Sequence, residues 1–309
     1  TPFEDISIIE KIYLNFLNNI NSILVPLNYQ ITSLACQPVS KSASLDLIPK
    51  KRYQFMDKYF KSVGTGGIEM MRGTCSTQIS IDFFSEQDFR YKIQAAYLLT
   101  PVFKLISNNA THFEGNSLNT FLKRTDIWNR TDPIRCQPPL KAFSNNFGFK
   151  DYADYLCKIP PIFYISKNGK PKYTGKVTAK ELFFNIEPTK NDILHIISIA
   201  FPDVRLKNYI EIRGADSMPH EYVLAYCALI KGLLYPNNVL KWCQDFIHSN
   251  KITYKILNDT QINLIKHGWR GTIYGISAYK FVKEIIALAL SNLPLNEQNY
   301  LEILTMDIK

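Results

Sequence analysis

The sequence predicts an α+β fold with a mostly antiparallel sheet, and three observations carry that prediction. Residues 74–83 and 205–213 alternate apolar and polar side chains with a period of two, the pattern of strands with one wetted face. Apolar residues at helical spacing open the chain and dominate it from residue 221 onward. The strand-like segments precede the main run of helices, which is the order of an α+β protein.

In "DISIIEKIYLNFLNN", Ile8, Ile9, Ile12, Tyr13, Phe16 and Leu17 recur at helical spacing. The chain has no initiator Met, and its start reads as cut. "NYQITSLACQP" is expected to form a short strand closed by Pro38. Residues 51–61 read as a basic amphipathic helix with Phe55 and Tyr59 inward and lysines in water. Gly64, Gly66 and Gly67 follow, and with no Lys-Ser/Thr after them they are expected to make a flexible turn rather than a phosphate cradle.

In the strand at 74–83, Cys75, Ile79, Ile81 and Phe83 alternate with Thr74, Ser76, Gln78, Ser80 and Asp82. Its polar side should meet water or a water-filled pocket. A helix is expected over 86–107, then an irregular polar stretch over 111–145. Within that stretch Arg124 and Arg135 flank Trp128, and spacing alone favours solvent-exposed loop arginines over a carboxylate clamp.

"GFKDYADYLCKIPPIFYIS" reads as a short helix and a strand, and "TKNDILHIISIAFPDVR" as a helix stopped by Pro202, with His195 at its boundary. In "RLKNYIEIR" a strand places Tyr209, Glu211 and Arg213 on one face and Ile210 and Ile212 on the other. Helices are expected near 221–235, 238–249, 275–291 and 296–305.

With 309 residues, 46% of them hydrophobic and 20% charged, the composition is that of a globular protein. Apolar runs such as "IISIAF" fall far short of the roughly 20 residues a membrane helix needs. No basic, apolar leader is visible, so a cytoplasmic protein with no membrane partner is expected. The six cysteines show neither CxxC pairs nor histidines at metal-ligand spacing, so free thiols are expected. The net charge of +9 is spread rather than clustered, which favours anionic small substrates over nucleic acid. No Walker loop, GxGxxG or Ser-His-Asp context appears. What remains is a cup lined by Gln78, Ser80, Glu211, Arg213 and Arg124, suited to an anionic ligand with a bound cation.

"RLKNYIEIRGAD" closely resembles the signature strand of plant and proteobacterial glutamate-cysteine ligases. The likeness continues in order through "KKRYQFM", "TCSTQISIDF", "EGN", "RTDIWNRTDP", "FGFKDYADY" and "LHIISIAFPDVR". The resemblance implies a glutamine-synthetase-like carboxylate-amine ligase in which antiparallel strands form a funnel packed by helices. Residues 1–309 would be a single catalytic-type domain, roughly the C-terminal three quarters of the family domain, with 221–309 as its helical C-terminal portion. It also implies ATP and Mg²⁺ as cofactors, with glutamate, cysteine and ATP as partners. Glutamate would be phosphorylated on its side-chain carboxyl and then joined to cysteine, the first step of glutathione biosynthesis.

By position, the resemblance makes Glu211 a Mg²⁺ ligand and catalytic residue, and Arg213 a catalytic and nucleotide-binding residue at the transferring phosphoryl group. Gln78 would face the nucleotide, Arg52 and Arg124 would hold the glutamate carboxylate, and Asp216 would sit at the edge where the acceptor docks. Two departures touch the substrate side. The family's arginine before the Thr matched by Thr74 is here Gly73, with Arg72 one residue earlier, and Ile162 stands in a tyrosine's place, with Tyr164 nearby. An upstream Glu-His-Glu segment of the family has no counterpart in the residues given. The expectations are therefore a ligase fragment with little activity by itself, a γ-glutamyl ligase for another amine, or a degenerate non-catalytic protein.

Overall fold

The computed structural model describes residues 3–166 and 168–306. The first half runs α1 (Ile6–Leu24), α2 (Lys51–Phe60), α3 (Gly67–Gly73), β1 (Ile79–Ile81), α4 (Glu86–Ile106), β2 (His112–Phe113), β3 (Asn116–Ser117), α5 (Lys123–Asn129), α6 (Pro133–Cys136) and α7 (Phe149–Cys157). The second half runs β4 (Ile162–Ile165), β5 (Pro171–Gly175), α8 (Ala179–Leu182), α9 (Lys190–Ile199), β6 (Val204–Leu206), β7 (Ile210–Ile212), α10 (His220–Leu234), α11 (Asn237–Ser249), α12 (Tyr254–His267), β8 (Thr272–Ile273), β9 (Ile276–Ser277), α13 (Ala278–Leu290) and α14 (Glu302–Met306).

The architecture is α+β with small antiparallel sheets. β1, β7 and β6 form a three-stranded sheet in that order, and the other strands pair as two-stranded hairpins. The described strands do not by themselves close a funnel. α4 is the central post. Every residue from Lys92 to Leu105 is buried, because the sheet and the C-terminal helices cover it on all sides. Its start is fixed by Ser85, whose side chain accepts from the Asp88 amide. α9 begins with a capping box, Thr189 and Asp192 bonding each other's amides, and ends at Ala200 before Pro202. Among the described residues no single helix is long and apolar enough to cross a membrane.

Most expected helices form, and in α2 Tyr59 is buried and Phe55 half-buried while Lys51 and Lys58 are exposed. Five expectations change. Residues 28–38 form no strand beyond an isolated bridge between Cys36 and Thr74. The glycine-rich link is a packed crossing rather than a flexible turn: a Cβ on Gly64 would lie 2.2 Å from the Thr131 carbonyl oxygen, and one on Gly67 2.4 Å from Phe60 Cβ. The stretch at 111–145 contains the β2–β3 hairpin and helices α5 and α6. Its Arg135 is fully buried, bonded to Asp132 and to the carbonyls of Ile199 and Pro160. Residues 205–213 are the hairpin β6–β7 rather than one strand. Finally, α12 was not anticipated; Thr253 caps it.

Candidate functional site

The hairpin β6–β7 turns over Lys207–Tyr209, where the Lys207 amide donates to the Tyr209 carbonyl at 2.8 Å. The tight reversal pairs Arg205 with Glu211 across the strands, while β1 places Ser80 opposite Glu211 on its other side. Directly opposed residues share a face, so Arg205 meets the Glu211 carboxylate. Its Nε donates to Oε2 at 2.9 Å and its Nη2 lies 2.6 Å from the same oxygen. Arg213, two residues on and on the same face, donates from Nη1 to Oε2 at 2.9 Å. Lys207 Nζ donates to Oε1 at 2.8 Å. One carboxylate therefore holds three cations.

Burial alone would raise the pKa of Glu211, but the Lys207 hydrogen bond and the charges of Arg205 and Arg213 outweigh it, bringing it down to about 2. Gln78 joins the cluster from the approach to β1: its Oε1 accepts from Arg213 Nη1 at 3.2 Å. Arg124 reaches the same segment from beneath. It is buried, and it donates to the carbonyls of Gly214 and Arg213 at 3.2 and 3.1 Å. Trp128 lies between the two arginines, 5.4 Å from Arg124 and 5.9 Å from Arg213.

Beside them is a cavity of about 20 Å³ lined by Lys104, Arg124, Trp128, Phe201, Asp203 and Arg213. Arg213 Nε and Trp128 Nε1 are both buried without a partner among the described residues. Unpaired buried donors next to a polar cavity are suited to an oxygen acceptor.

The structure thus brings Gln78, Glu211, Arg213 and the guanidinium of Arg124 together. It does not bring Arg52 or Asp216 to the same face. Arg52 sits half-buried on α2 with its Nε unpaired, near enough to His195 to act on its charge. Asp216 lies under the segment rather than at an open edge, its carboxylate accepting from the Asn109 amide at 3.2 Å. Burial raises its pKa to about 6 against the smaller lowering effects of Arg124, the Asn109 amide and Lys104.

Sequence reasoning missed Arg205 and Lys207. The available signal was the turn-forming Asn208 in the middle of "RLKNYIEIR", which splits the run into two strands and faces Arg205 with Glu211. It also took Arg124 and Arg135 for exposed residues, although both are buried.

The donor set can be compared with the two cofactors that the resemblance implies. Arg213 Nε and the net positive cluster fit an anionic phosphate tail. They do not make a Mg²⁺ site: both Glu211 oxygens are engaged by cations, and no group of three or more His, Cys, Asp or Glu among the described residues could hold a metal ion.

A sequence model of the glutamate-cysteine ligase family 2 (GCS2) matches residues 1–296. The chloroplastic glutamate–cysteine ligase of Arabidopsis thaliana is 34% identical over 211 residues, covering 66% of this chain and 40% of that protein. That of Brassica juncea is 34% identical over 212 residues, 66% of this chain and 41% of its own. The chloroplastic ligase B of Oryza sativa subsp. japonica is 33% identical over 215 residues, 68% of this chain and 43% of its own. The chain spans about 40% of the length of these relatives. Their names overturn the cytoplasmic expectation, since the matched proteins are chloroplastic. That expectation rested on the composition of the residues given, which carries no information about a leader.

Proposed function

The chain belongs to the glutamate-cysteine ligase family, and from that premise we propose that it forms the phosphoryl-handling face of an ATP-dependent ligase that joins the side-chain carboxyl of glutamate to the amine of cysteine. The product, γ-glutamylcysteine, would make this the first step of glutathione biosynthesis. The observation that carries the reading is the cluster of Arg213, Gln78, Arg205 and Lys207 around Glu211, with Arg213 Nε unpaired beside it.

In this reading the glutamate carboxylate attacks the γ-phosphorus of ATP and ADP leaves. The cysteine amine then displaces phosphate from the acyl phosphate. Charge gathers on the transferring oxygens, where a fixed guanidinium such as Arg213 stabilises it most. Gln78 orients Arg213. Arg124 sets the position of the Arg213 backbone through two carbonyls, and its remaining N–H groups are assigned to the glutamate carboxylate. Asp216 underlies the acceptor side. The glutamine-synthetase-like funnel is the larger sheet in which β1, β7 and β6 would sit, and a plastid is the proposed location. Mg²⁺ chemistry is not assigned to these residues.

A second reading, another amine as acceptor, is favoured by Arg72. Its Nη1 and Nη2 go to the Leu45 carbonyl and Asp57, at 2.9 and 2.8 Å, which leaves only its Nε unpaired, and among the described residues it makes no contact with the Glu211 cluster. Phosphate release with glutamate, cysteine and MgATP, measured on the full-length protein carrying this sequence, tests both. Release with cysteine supports the first reading and release only with another amine supports the second. No release with any amine rejects the ligase assignment.

A further inference from the structure

We propose that Glu211 is a positioning residue: its carboxylate, held from within by Arg205, preassembles Lys207 and Arg213 into a cationic cradle for phosphoryl oxygens, and it is not a ligand of Mg²⁺. The proposal rests on the ligase reading above and departs from the role that family resemblance implies for Glu211.

Three features carry it. The first is occupancy: cationic heads lie 2.6 to 2.9 Å from the two carboxylate oxygens, two of them on Oε2 and one on Oε1. A dication bound at about 2.0–2.1 Å from either oxygen would sit against all three fixed positive charges, and like charges at such separations repel strongly in a buried site. The second is the donor set. A hard dication needs a carboxylate with a free oxygen, and both Glu211 oxygens already accept from Arg205, Arg213 and Lys207.

The third is what each cation has left to offer. Arg205 is consumed internally. Its Nε and Nη2 go to Glu211, and its Nη1 goes to the carbonyls of Ser198 and Ala200 at the end of α9. It rivets α9 to the sheet and fixes the carboxylate. Arg213 keeps a buried, unpaired Nε. Lys207 is partly exposed and uses Nζ on Glu211 and the Tyr209 hydroxyl, so one of its three N–H groups remains. The anchor is therefore closed on its inner side and open through Arg213 and Lys207. Three positive heads around one negative group leave a local charge of +2, which favours a polyanion. Without the carboxylate the heads would repel one another and lose their common geometry.

The test uses Glu211→Gln, Arg205→Met and the milder Lys207→Gln, with folding of each checked by near-ultraviolet circular dichroism. Mn²⁺ affinity is measured by electron paramagnetic resonance, with and without a non-hydrolysable ATP analogue. The expected result is an Mn²⁺ affinity unchanged by Glu211→Gln. Activity of the full-length variant should fall about a hundredfold in kcat, with no recovery at raised Mg²⁺. Arg205→Met, which removes no residue assigned to a ligand, should reproduce the loss. A loss of Mn²⁺ affinity of about tenfold or more in Glu211→Gln, or rescue by excess Mg²⁺, overturns the proposal.

The cradle is read separately on the metal-free 309-residue chain. Inorganic pyrophosphate should shift the Arg213 Nε–H nuclear magnetic resonance signal, and Lys207→Gln should weaken that binding severalfold. A signal that stays in place at millimolar pyrophosphate overturns the cradle. A wild-type protein that ligates no amine rejects the ligase reading instead, and the Mn²⁺ and pyrophosphate titrations still decide the role of Glu211.

Discussion

Glu211 and Asp216 lie five residues apart on one segment and are almost equally buried, at 6% and 4% exposure, yet they respond to burial in opposite ways. Glu211 is held at a pKa of about 2, because against the effect of burial stand direct bonds from Lys207 and Arg213 and the charge of Arg205. Asp216 is pushed up to about 6, because burial is opposed only by the charges of Arg124 and Lys104 acting through space and by one backbone amide. Surface exposure is the same in both places, but Asp216 sits deeper among protein atoms, so its burial effect is the stronger of the two. Direct cationic donors on Glu211 and the deeper burial of Asp216 together decide the outcome.

The largest expected effect comes from breaking the Glu211 side. Glu211→Leu strands three buried or partly buried cations and should cost about 3–5 kcal/mol of stability, measured by urea denaturation near neutral pH. Asp216→Asn should do the reverse above pH 6, gaining on the order of 1–3 kcal/mol by removing a buried charge while keeping an acceptor for the Asn109 amide.

The pH dependence sharpens the contrast. Glu211 has a lowered folded-state pKa, so its stabilisation is complete above its ordinary value of 4.5 and is lost as pH falls toward about 2. Asp216 has a raised one, so its destabilisation sets in as pH rises from 3.8 to about 6. Chemical denaturation across this range should show Glu211→Gln flattening the limb below pH 4.5 and Asp216→Asn flattening the decline between pH 3.8 and about 6. The smallest effect is expected for Lys207→Gln, under about 1 kcal/mol, since the lysine side chain is 25% exposed.

Much of the fold was legible because helical periodicity survives in sequence. α1, α2, α4, α9, α10 and α13 all carry their apolar spacing openly. The β6–β7 hairpin was easily missed, because Asn208 is the one turn signal at Lys207–Tyr209, with neither Gly nor Pro, and the two halves continue one alternating pattern. α12 was hidden by its mixed composition; only four of its residues are buried. At the site, the face shared by Glu211 and Arg213 follows from a period of two. The burial of Arg124 does not, because it depends on carbonyls some ninety positions away in the chain. Arg52 and Asp216 were placed at the site by resemblance, and the fold puts them to the side of it and beneath it.

The opposition of the two carboxylates can be measured most directly by ¹³C nuclear magnetic resonance titration of the labelled side-chain carboxyls of the folded chain. The expected result is Glu211 titrating near pH 2 and Asp216 near pH 6. Both groups titrating close to the ordinary carboxylate range of about 3.9–4.3 would contradict a cation-locked Glu211 beside an unlocked Asp216, and with it the anchored cluster on which the site is built.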